Sequence, residues 1–199
     1  MKILVACEYS GIVRDAFIKR GHFAMSCDLL PTDVPGPHYQ GDVFELINQI
    51  HQEWDLMIAH PPCTYLCSSG LHWNGRVAGR QEKTDEAVEF VRRLLDANIP
   101  RIALENPIGC ISRLIRKPEQ IIQPHQFGDD ASKSTCLWLK NLPLLIPTKN
   151  IPPRIIDGKS RWANQTDSGQ NRLGPSDDRW KERSKTYQGI ADAMASQWG

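Results

Sequence analysis

Residues 2–21 read KILVACEYSGIVRDAFIKRG, and this stretch predicts the fold. Residues 2–7 form a short apolar run, which is typical of a parallel strand buried on both faces. A polar turn follows at residues 8–11, and a helical pattern then continues to Gly21. The apolar face of that pattern carries Ile12, Val13, Ala16 and Phe17. A strand, a turn and a helix in this order predict the first unit of an α/β fold.

The alternation of strand and helix continues along the chain. Further strands are predicted at 22–27, 55–59, 101–104 and 135–139, and further helices at 82–97 and 187–198. This alternation predicts an α/β fold with a mostly parallel, doubly wound sheet. Residues 144–186 are rich in Pro, Gly, Asp and Asn and have little periodicity. We therefore expect a single domain, 1–199, with an irregular, loop-rich insert at 144–186.

Length and composition fit one ordinary globular domain. The chain has 199 residues, of which 40% are hydrophobic and 24% are charged. A chain of this length buries roughly 70% of its unfolded surface, so its stability requires neither a metal nor a disulfide. The net charge of +1 does not indicate a nucleic-acid partner. Residues 149–183 are mildly basic, with eight Lys and Arg against five Asp and Glu, which alone is typical of a solvated loop.

Cysteine usage and the N-terminal sequence indicate a cytoplasmic protein. The six cysteines are dispersed, and the apolar run at the N-terminus is too short for a signal peptide. No apolar run approaches the roughly 20 residues that cross a bilayer. These features predict reduced thiols, a cytosolic location and no membrane partner.

Two acidic residues are candidates for binding a nucleoside. Asp28 follows the second predicted strand, where a carboxylate can bind a ribose hydroxyl pair; a helix cap or loop carboxylate is the alternative. Asp42 can hold an adenine amino group, and an Asp in a turn beside Gly41 is the alternative. The first turn has only one glycine, Gly11, which disfavours a dinucleotide-binding dehydrogenase.

Cys63 is the most distinctive chemical feature of the sequence. Pro61 and Pro62 restrict the backbone before it, so its thiol is held at a strand end. Backbone N–H groups in the following turn would lower the thiol pKa; the alternative is an inert buried cysteine. Cys63, Cys67 and His72 lack a fourth nearby ligand, so we expect no metal site.

Glu105 follows the predicted strand 101–104, so its carboxylate should lie near the floor of a cleft. Burial there would raise the carboxyl pKa and let the group protonate or hydrogen-bond a ring nitrogen. A helix-capping role before Pro107 is the alternative. Lys133 and Thr135 precede another predicted strand, and a solvated loop is the alternative for them.

Two short motifs resemble those of a known family. His60-Pro61-Pro62-Cys63, followed about forty residues later by Glu105-Asn106-Pro107, resembles the Pro-Cys and Glu-Asn motif pair of cytosine carbon-5 DNA methyltransferases. More closely, the chain resembles short phage and prophage DNA-methylase-like proteins over nearly its whole length. Segments 6–11, 126–135 and 188–191 resemble the family's first cofactor motif, a divergent Gln-x-Arg-x-Arg motif and the closing motif. Asn-Pro replaces the usual Asn-Val, and the insert is much shorter than a target-recognition domain.

The resemblance implies a Rossmann-like S-adenosylmethionine-dependent methyltransferase fold, with S-adenosylmethionine as cofactor. The implied catalytic residues are Cys63, Glu105, Lys133 and Thr135. The implied cofactor-binding residues are Cys7, Glu8, Ser10, Gly11, Asp28, Leu29, Asp42, Val43 and Pro61. The implied substrate-binding residues are Pro62, Asn106, Pro107 and Arg172.

The implied activity is methyl transfer to carbon 5 of cytosine in DNA through a covalent Cys63 adduct, in the bacterial host cytosol if the chain is phage-encoded. Because the insert is short, three possibilities are open: relaxed sequence specificity, a single-stranded substrate, and a protein partner that supplies sequence recognition. Two alternatives are the same chemistry on another pyrimidine or free nucleotide, and a non-catalytic DNA-binding or anti-restriction protein. Amino-group methylation is disfavoured, since His60-Pro-Pro-Cys63 lacks the Asp or Asn and the aromatic residue of that catalytic loop.

Overall fold

The structure is a computed structural model that describes residues 1–49 and 53–199. The strands are β1 (Lys2–Ala6), β2 (Phe23–Asp28), β3 (His38–Gln40), β4 (Leu56–Ala59), β5 (Arg101–Pro107), β6 (Gln120–Ile122), β7 (Thr135–Lys140), β8 (Arg154–Ile156) and β9 (Lys159–Arg161). The helices are α1 (Ile12–Ile18), α2 (Val43–Ile47), α3 (Ser68–Leu71), α4 (Arg80–Leu95), α5 (Ile111–Leu114), α6 (Arg179–Ser184) and α7 (Gln188–Trp198), with a 3-10 turn at Pro124–Gln126.

Seven strands form one sheet in the order β3-β2-β1-β4-β5-β7-β6. Neighbouring strands from β3 to β5 are parallel, whereas β7 is antiparallel to both β5 and β6. The strand order reverses direction along the chain after β3, which is the arrangement of a doubly wound sheet. The predicted α/β, mostly parallel architecture is confirmed.

Each face of the sheet is covered by helices, because side chains alternate along every buried strand. On one face, Leu4 and Met57 belong to the same apolar cluster as Val91 of α4 and Phe44 of α2. On the other face, the apolar cluster includes the following side chains: Val5, Ile58, Phe17 of α1 and Met194 of α7. Burial on both faces explains why the central strands are short, continuous apolar runs.

Strand β5 extends further than predicted. The expected end at Leu104 is wrong, because Glu105, Asn106 and Pro107 pair with Leu137, Cys136 and Thr135 on the antiparallel strand β7. Glu105 and Asn106 therefore point to opposite faces of the sheet instead of lying in a loop.

The segment 144–186 contains local structure that its weak periodicity did not predict. Strands β8 and β9 form an antiparallel hairpin. Its turn is Asp157-Gly158, whose φ angles of 49° and 72° suit an Asp-Gly hairpin turn. Asn164 connects the segment to the region before β7. Its side-chain Oδ1 accepts a hydrogen bond from the Ser132 N–H at 3.0 Å, and its Nδ2 donates one to the Ser132 carbonyl at 2.9 Å.

Across residues 1–49 and 53–199, the helices are all too short or too polar to cross a membrane.

Candidate active site

The sheet register brings four chemically active positions to one edge. Ala6 lies opposite both Cys27 and Ala59, and Ala59 lies opposite Leu104. The residues that follow these positions along parallel strands therefore share the carboxyl edge of the sheet. They are Cys7, Asp28, His60 and Glu105.

Cys63 lies just beyond this edge, in the loop after β4. Its side chain is half-buried and belongs to neither apolar core cluster. The Cys63 carbonyl accepts hydrogen bonds from the N–H groups of Leu66 and Cys67, at 3.0 and 2.9 Å, which closes a single helical turn. This turn brings Cys67 beside Cys63.

Asn106 fixes the start of the Cys63 loop. Its side chain is 1% exposed, and its Nδ2 donates a 2.7 Å hydrogen bond to the carbonyl of Pro61, which is itself buried. Asn106, predicted to bind substrate, therefore connects β5 to the backbone two residues before the thiol. Pro62 is exposed and Pro107 is half-buried at the end of β5.

We expect Asn106→Ala to destabilise the fold by about 1–2 kcal/mol, because it leaves the buried Pro61 carbonyl without its donor. The loss of Asn106 Oδ1, which is buried without a hydrogen-bond partner among the described residues, offsets part of that cost. Urea unfolding measures the change, with exposed Asn150→Ala as the control. Equal stability of the two variants would show that this bond does not support the loop.

Glu105 is surrounded by groups that favour its ionised form. Its carboxylate Oε2 lies 3.3 Å from Nδ1 of His60, and the two side chains are 12% and 8% exposed. Burial opposes ionisation, but His60, Lys133 and a hydrogen bond from Thr135 outweigh it and lower the pKa of Glu105. The expectation of a raised pKa is wrong, because these partners, which lie just after β4 and at the start of β7, outweigh the effect of burial.

The electrostatics of the thiol pair also differ from expectation. A hydrogen bond with Cys67, burial and the charge of Glu105 raise the pKa of Cys63. The Cys63 hydrogen bond, the Ser69 hydroxyl and backbone N–H groups lower the pKa of Cys67 to about 5, although burial opposes this. The Ser69 Oγ lies 3.2 Å from the Cys67 sulfur. The hydrogen bond from Cys63 and the backbone N–H groups thus favour the thiolate form of Cys67.

Lys133 and Thr135 complete the cluster. Thr135 is 2% exposed at the start of β7. The charge of Lys133 acts on both Glu105 and Cys63, and its Nζ donates to the carbonyl of Arg183 at 3.1 Å. The structure therefore brings all four predicted catalytic residues together. It adds His60, which lay inside the quoted His-Pro-Pro-Cys motif but was not predicted to act.

Glu8 fills the N-terminus of helix α1. Its carboxylate, 5% exposed, accepts hydrogen bonds from the N–H groups of Val13 and Arg14 at 2.7 and 3.2 Å and from Ser10 Oγ at 3.2 Å. Gly11 adopts a left-handed φ of 74°, and a Cβ there would lie 2.5 Å from Arg14 Nη2. Because a protein carboxylate occupies these donors, the turn cannot hold a phosphate as dinucleotide-binding turns do.

Further acidic groups lie beside this turn. Asp28 and Asp42 both raise the pKa of the Cys7 thiol, for which burial is the largest cause, so the three residues are neighbours. Each carboxylate uses one oxygen locally: Asp28 Oδ1 accepts from Leu30 N–H and Asp42 Oδ1 from Phe44 N–H, both at 2.9 Å. Asp42 is thereby the N-cap of α2.

The apolar residues beside these two carboxylates differ in exposure. Leu29 is 74% exposed, whereas Val43 is packed in the core. The carboxyl edge of the sheet therefore offers an apolar surface beside the carboxylates of Asp28 and Asp42. Each carboxylate has a second oxygen besides the one that accepts a backbone N–H.

Arg172 is not brought to this site. It is exposed in the insert, and its Nε donates to the carbonyl of Gln165 at 2.8 Å. No contact recorded for the described residues joins it to Cys63 or Glu105. Within the same residues, no group of three or more His, Cys, Asp or Glu side chains is arranged to hold a metal.

Comparisons with known proteins bear on the fold. No protein-family model and no curated protein matches the sequence. A solved E. coli structure, described as a DNA modification methyltransferase encoded within a prophage, matches with a TM-score of 0.50 and 14% identity, over 79% of this chain and 53% of that one. A Spodoptera frugiperda DNMT2 variant matches with a TM-score of 0.46 and 16% identity, over 80% of this chain and 57% of that one.

The chain thus spans about half the length of these solved structures. Its seven-stranded sheet, with only β7 reversed, and its likeness to the prophage protein agree on the architecture. The chain has the Rossmann-like fold of S-adenosylmethionine-dependent methyltransferases.

Proposed function

We propose that this chain transfers a methyl group from S-adenosylmethionine to carbon 5 of cytosine in DNA, through a covalent bond between Cys63 and carbon 6 of the base. The observation that carries the proposal is the meeting of Cys63 and Glu105 at adjacent strand ends, close enough for the Glu105 charge to raise the thiol pKa. A nucleophile and a nearby carboxyl group are what this reaction requires of a protein.

The cofactor residues fit a cation that carries ribose hydroxyls but no phosphate. Glu8 occupies the helix N-terminus, and Asp28 and Asp42 add negative charge nearby. S-adenosylmethionine supplies an electrophilic methyl group on a positively charged sulfur. Asp28 would accept from the ribose hydroxyls, Asp42 would accept from the adenine amino group, and Leu29 would contact the adenine ring.

Asp28→Ala is expected to weaken S-adenosylmethionine binding about tenfold or more, since hydrogen bonds to a charged group contribute about 1.5–3 kcal/mol. Isothermal titration calorimetry measures the affinity, with the exposed Asp177→Ala as the control. Unchanged affinity in Asp28→Ala would remove this carboxylate from the cofactor site.

The side chains of the site would act on the base in turn. The Cys63 thiol gives its proton to the Cys67 thiolate and adds to carbon 6, while Glu105 protonates or hydrogen-bonds ring nitrogen N3. The resulting enamine makes carbon 5 nucleophilic enough to accept the methyl group. A base or water then removes the carbon-5 proton, and Cys63 is eliminated. In duplex DNA the cytosine must first leave the stack.

Recognition of a DNA sequence requires more surface than the insert offers. A specific protein–DNA interface buries roughly 1,000 Å² or more of protein. We therefore propose that the insert, residues 144–186, replaces a recognition domain, and that the chain either has relaxed specificity or receives recognition from a protein partner.

Nucleoside mass spectrometry of host DNA tests the proposed function. Expression in a bacterial strain without cytosine carbon-5 methylation should produce 5-methylcytosine in genomic DNA. Unmodified DNA, together with methyl transfer to a free pyrimidine nucleotide in vitro, would favour the nucleotide as substrate. Unmodified DNA and no calorimetric binding of S-adenosylmethionine would favour a non-catalytic DNA-binding protein.

A further inference from the structure

His60 lies between two acidic residues at the carboxyl edge of the sheet. It directly follows β4, which pairs with β1 on one side and β5 on the other. By the alternation of side chains, His60 shares the face of Ile58, and Glu105 shares the face of Ala103; both positions belong to the cluster covered by α1 and α7. Glu8 caps α1 on this face, and the charge of His60 acts on its carboxyl group.

The imidazole is held against only one of these neighbours. Nδ1 lies 3.3 Å from Glu105 Oε2, with the His60 side chain 8% exposed. Nε2 is also buried and has no hydrogen-bond partner in the described part of the chain. The Glu8 oxygens are taken by the N–H groups of α1 and by Ser10, so Glu8 contributes charge but accepts no bond from His60.

The charged and titratable groups around the pair formed by His60 and Glu105 are Glu8 after β1, Cys63 after β4 and Lys133 before β7. The charge of Glu105 also reaches Cys136 on β7, which belongs to the apolar cluster on the other face of the sheet. Two of these groups, Glu8 and Glu105, are carboxyl groups, and Lys133 is a cation. The Glu105 pKa is lowered, so this carboxyl group is ionised at neutral pH and has no proton of its own to donate.

We propose that His60 is a positioning residue that orients Glu105 and stores the proton which Glu105 passes to the base. This inference rests on the proposed function. As the Cys63 sulfur bonds to carbon 6, the carbon 5–carbon 6 electron pair shifts through the ring to N3. N3 takes a proton from Glu105, and Glu105 takes the Nδ1 proton of His60. The imidazolium becomes a neutral imidazole, and elimination of Cys63 returns the proton along the same route.

His60→Gln tests whether His60 supplies the proton, because glutamine can donate a hydrogen bond to Glu105 but cannot give up a proton. The readout is the rate of covalent trapping on oligonucleotides containing 5-fluorocytosine, with S-adenosylmethionine present. Near neutral pH we expect a loss of about a hundredfold, within the usual contribution of proton transfer. The variant to wild-type ratio should recover as the pH falls from about 8 to about 6, because without His60 burial raises the pKa of Glu105 and solvent protonates more of it.

His22→Gln is the matched control, because His22 lies at the opposite end of the sheet, beside the N-terminal amino group. It should leave the rate unchanged. A purely structural role for His60 predicts a loss that is equal at every pH, and that result would overturn the proposal.

A second readout is independent of any nucleic acid. Carbon-13 NMR of labelled glutamate carboxyl groups follows the titration of Glu105 in the free protein. The pKa of Glu105 should rise in His60→Gln, and rise further in His60→Leu, because each variant removes a group that stabilises the carboxylate. An unchanged pKa of Glu105 in both variants would overturn the proposed coupling between His60 and Glu105, even if the wild type traps DNA. A raised pKa in a protein that never traps DNA would instead count against the proposed function.

Discussion

Replacing Cys63 with alanine is expected to abolish covalent trapping on 5-fluorocytosine oligonucleotides while the fold is retained. The adduct requires a sulfur that bonds to carbon 6, and the fluorine at carbon 5 prevents its release. Cys63 belongs to neither core cluster, so the loss of its sulfur leaves the packing of the sheet intact. Denaturing gel electrophoresis measures the trapped complex, and thermal unfolding verifies the fold.

Cys67→Ala is the matched control for this experiment. It should still form the adduct, because Cys67 is the proton acceptor and not the nucleophile. Removing the hydrogen bond with Cys67 removes the largest cause that raises the pKa of Cys63. Alkylation of Cys63 by iodoacetamide should therefore begin at a lower pH in this variant. Equal trapping by wild type and Cys63→Ala would exclude Cys63 as the nucleophile.

Glu105→Gln is expected to reduce the trapping rate by about a hundredfold or more, comparable to the loss of one preorganised donor in other enzymes. Glutamine preserves the shape of the side chain but cannot pass a proton to N3. Because His60 and Lys133 both favour a negative charge at this position, the neutral amide also changes the field at the thiol. Single-turnover trapping kinetics measure the effect.

The control for Glu105→Gln is Glu89→Gln, on the exposed face of α4. It should retain the wild-type rate. If Glu105→Gln also retained the full rate, the carboxyl group would have no part in the addition of Cys63 to the aromatic ring.

The sequence predicted the parallel strands because each is buried on both faces by helices. Residues 2–7 and 55–59 could be predicted as strands without knowing their partners, since a continuous apolar run between polar turns is sufficient for that prediction. The end of β5 was different. Its last three residues include Glu105 and Asn106, which look like loop residues, and only pairing with the antiparallel β7 makes them a strand. Such pairing depends on residues about thirty positions away along the chain.

The positions of the candidate site residues could be predicted, but not their ionisation. A polar residue after a buried strand lies at the edge where doubly wound sheets bind ligands, and this rule placed Asp28 and Glu105 at that edge, although both lie within their strands. The pKa of Glu105 depends instead on His60 and Lys133, which the fold brings to it from other elements. Likewise, only the structure revealed that a hydrogen bond with Cys67 raises the pKa of Cys63, while backbone N–H groups help to lower that of Cys67.

Peptide mass spectrometry of the trapped complex tests whether Cys63 is the nucleophile in methyl transfer. The wild-type protein, incubated with S-adenosylmethionine and a 5-fluorocytosine oligonucleotide, is digested with protease and nuclease. The account predicts one modified peptide, in which Cys63 carries a pyrimidine that has gained a methyl group and kept its fluorine. A pyrimidine attached to Cys67, or attached to Cys63 without the methyl group, would contradict it.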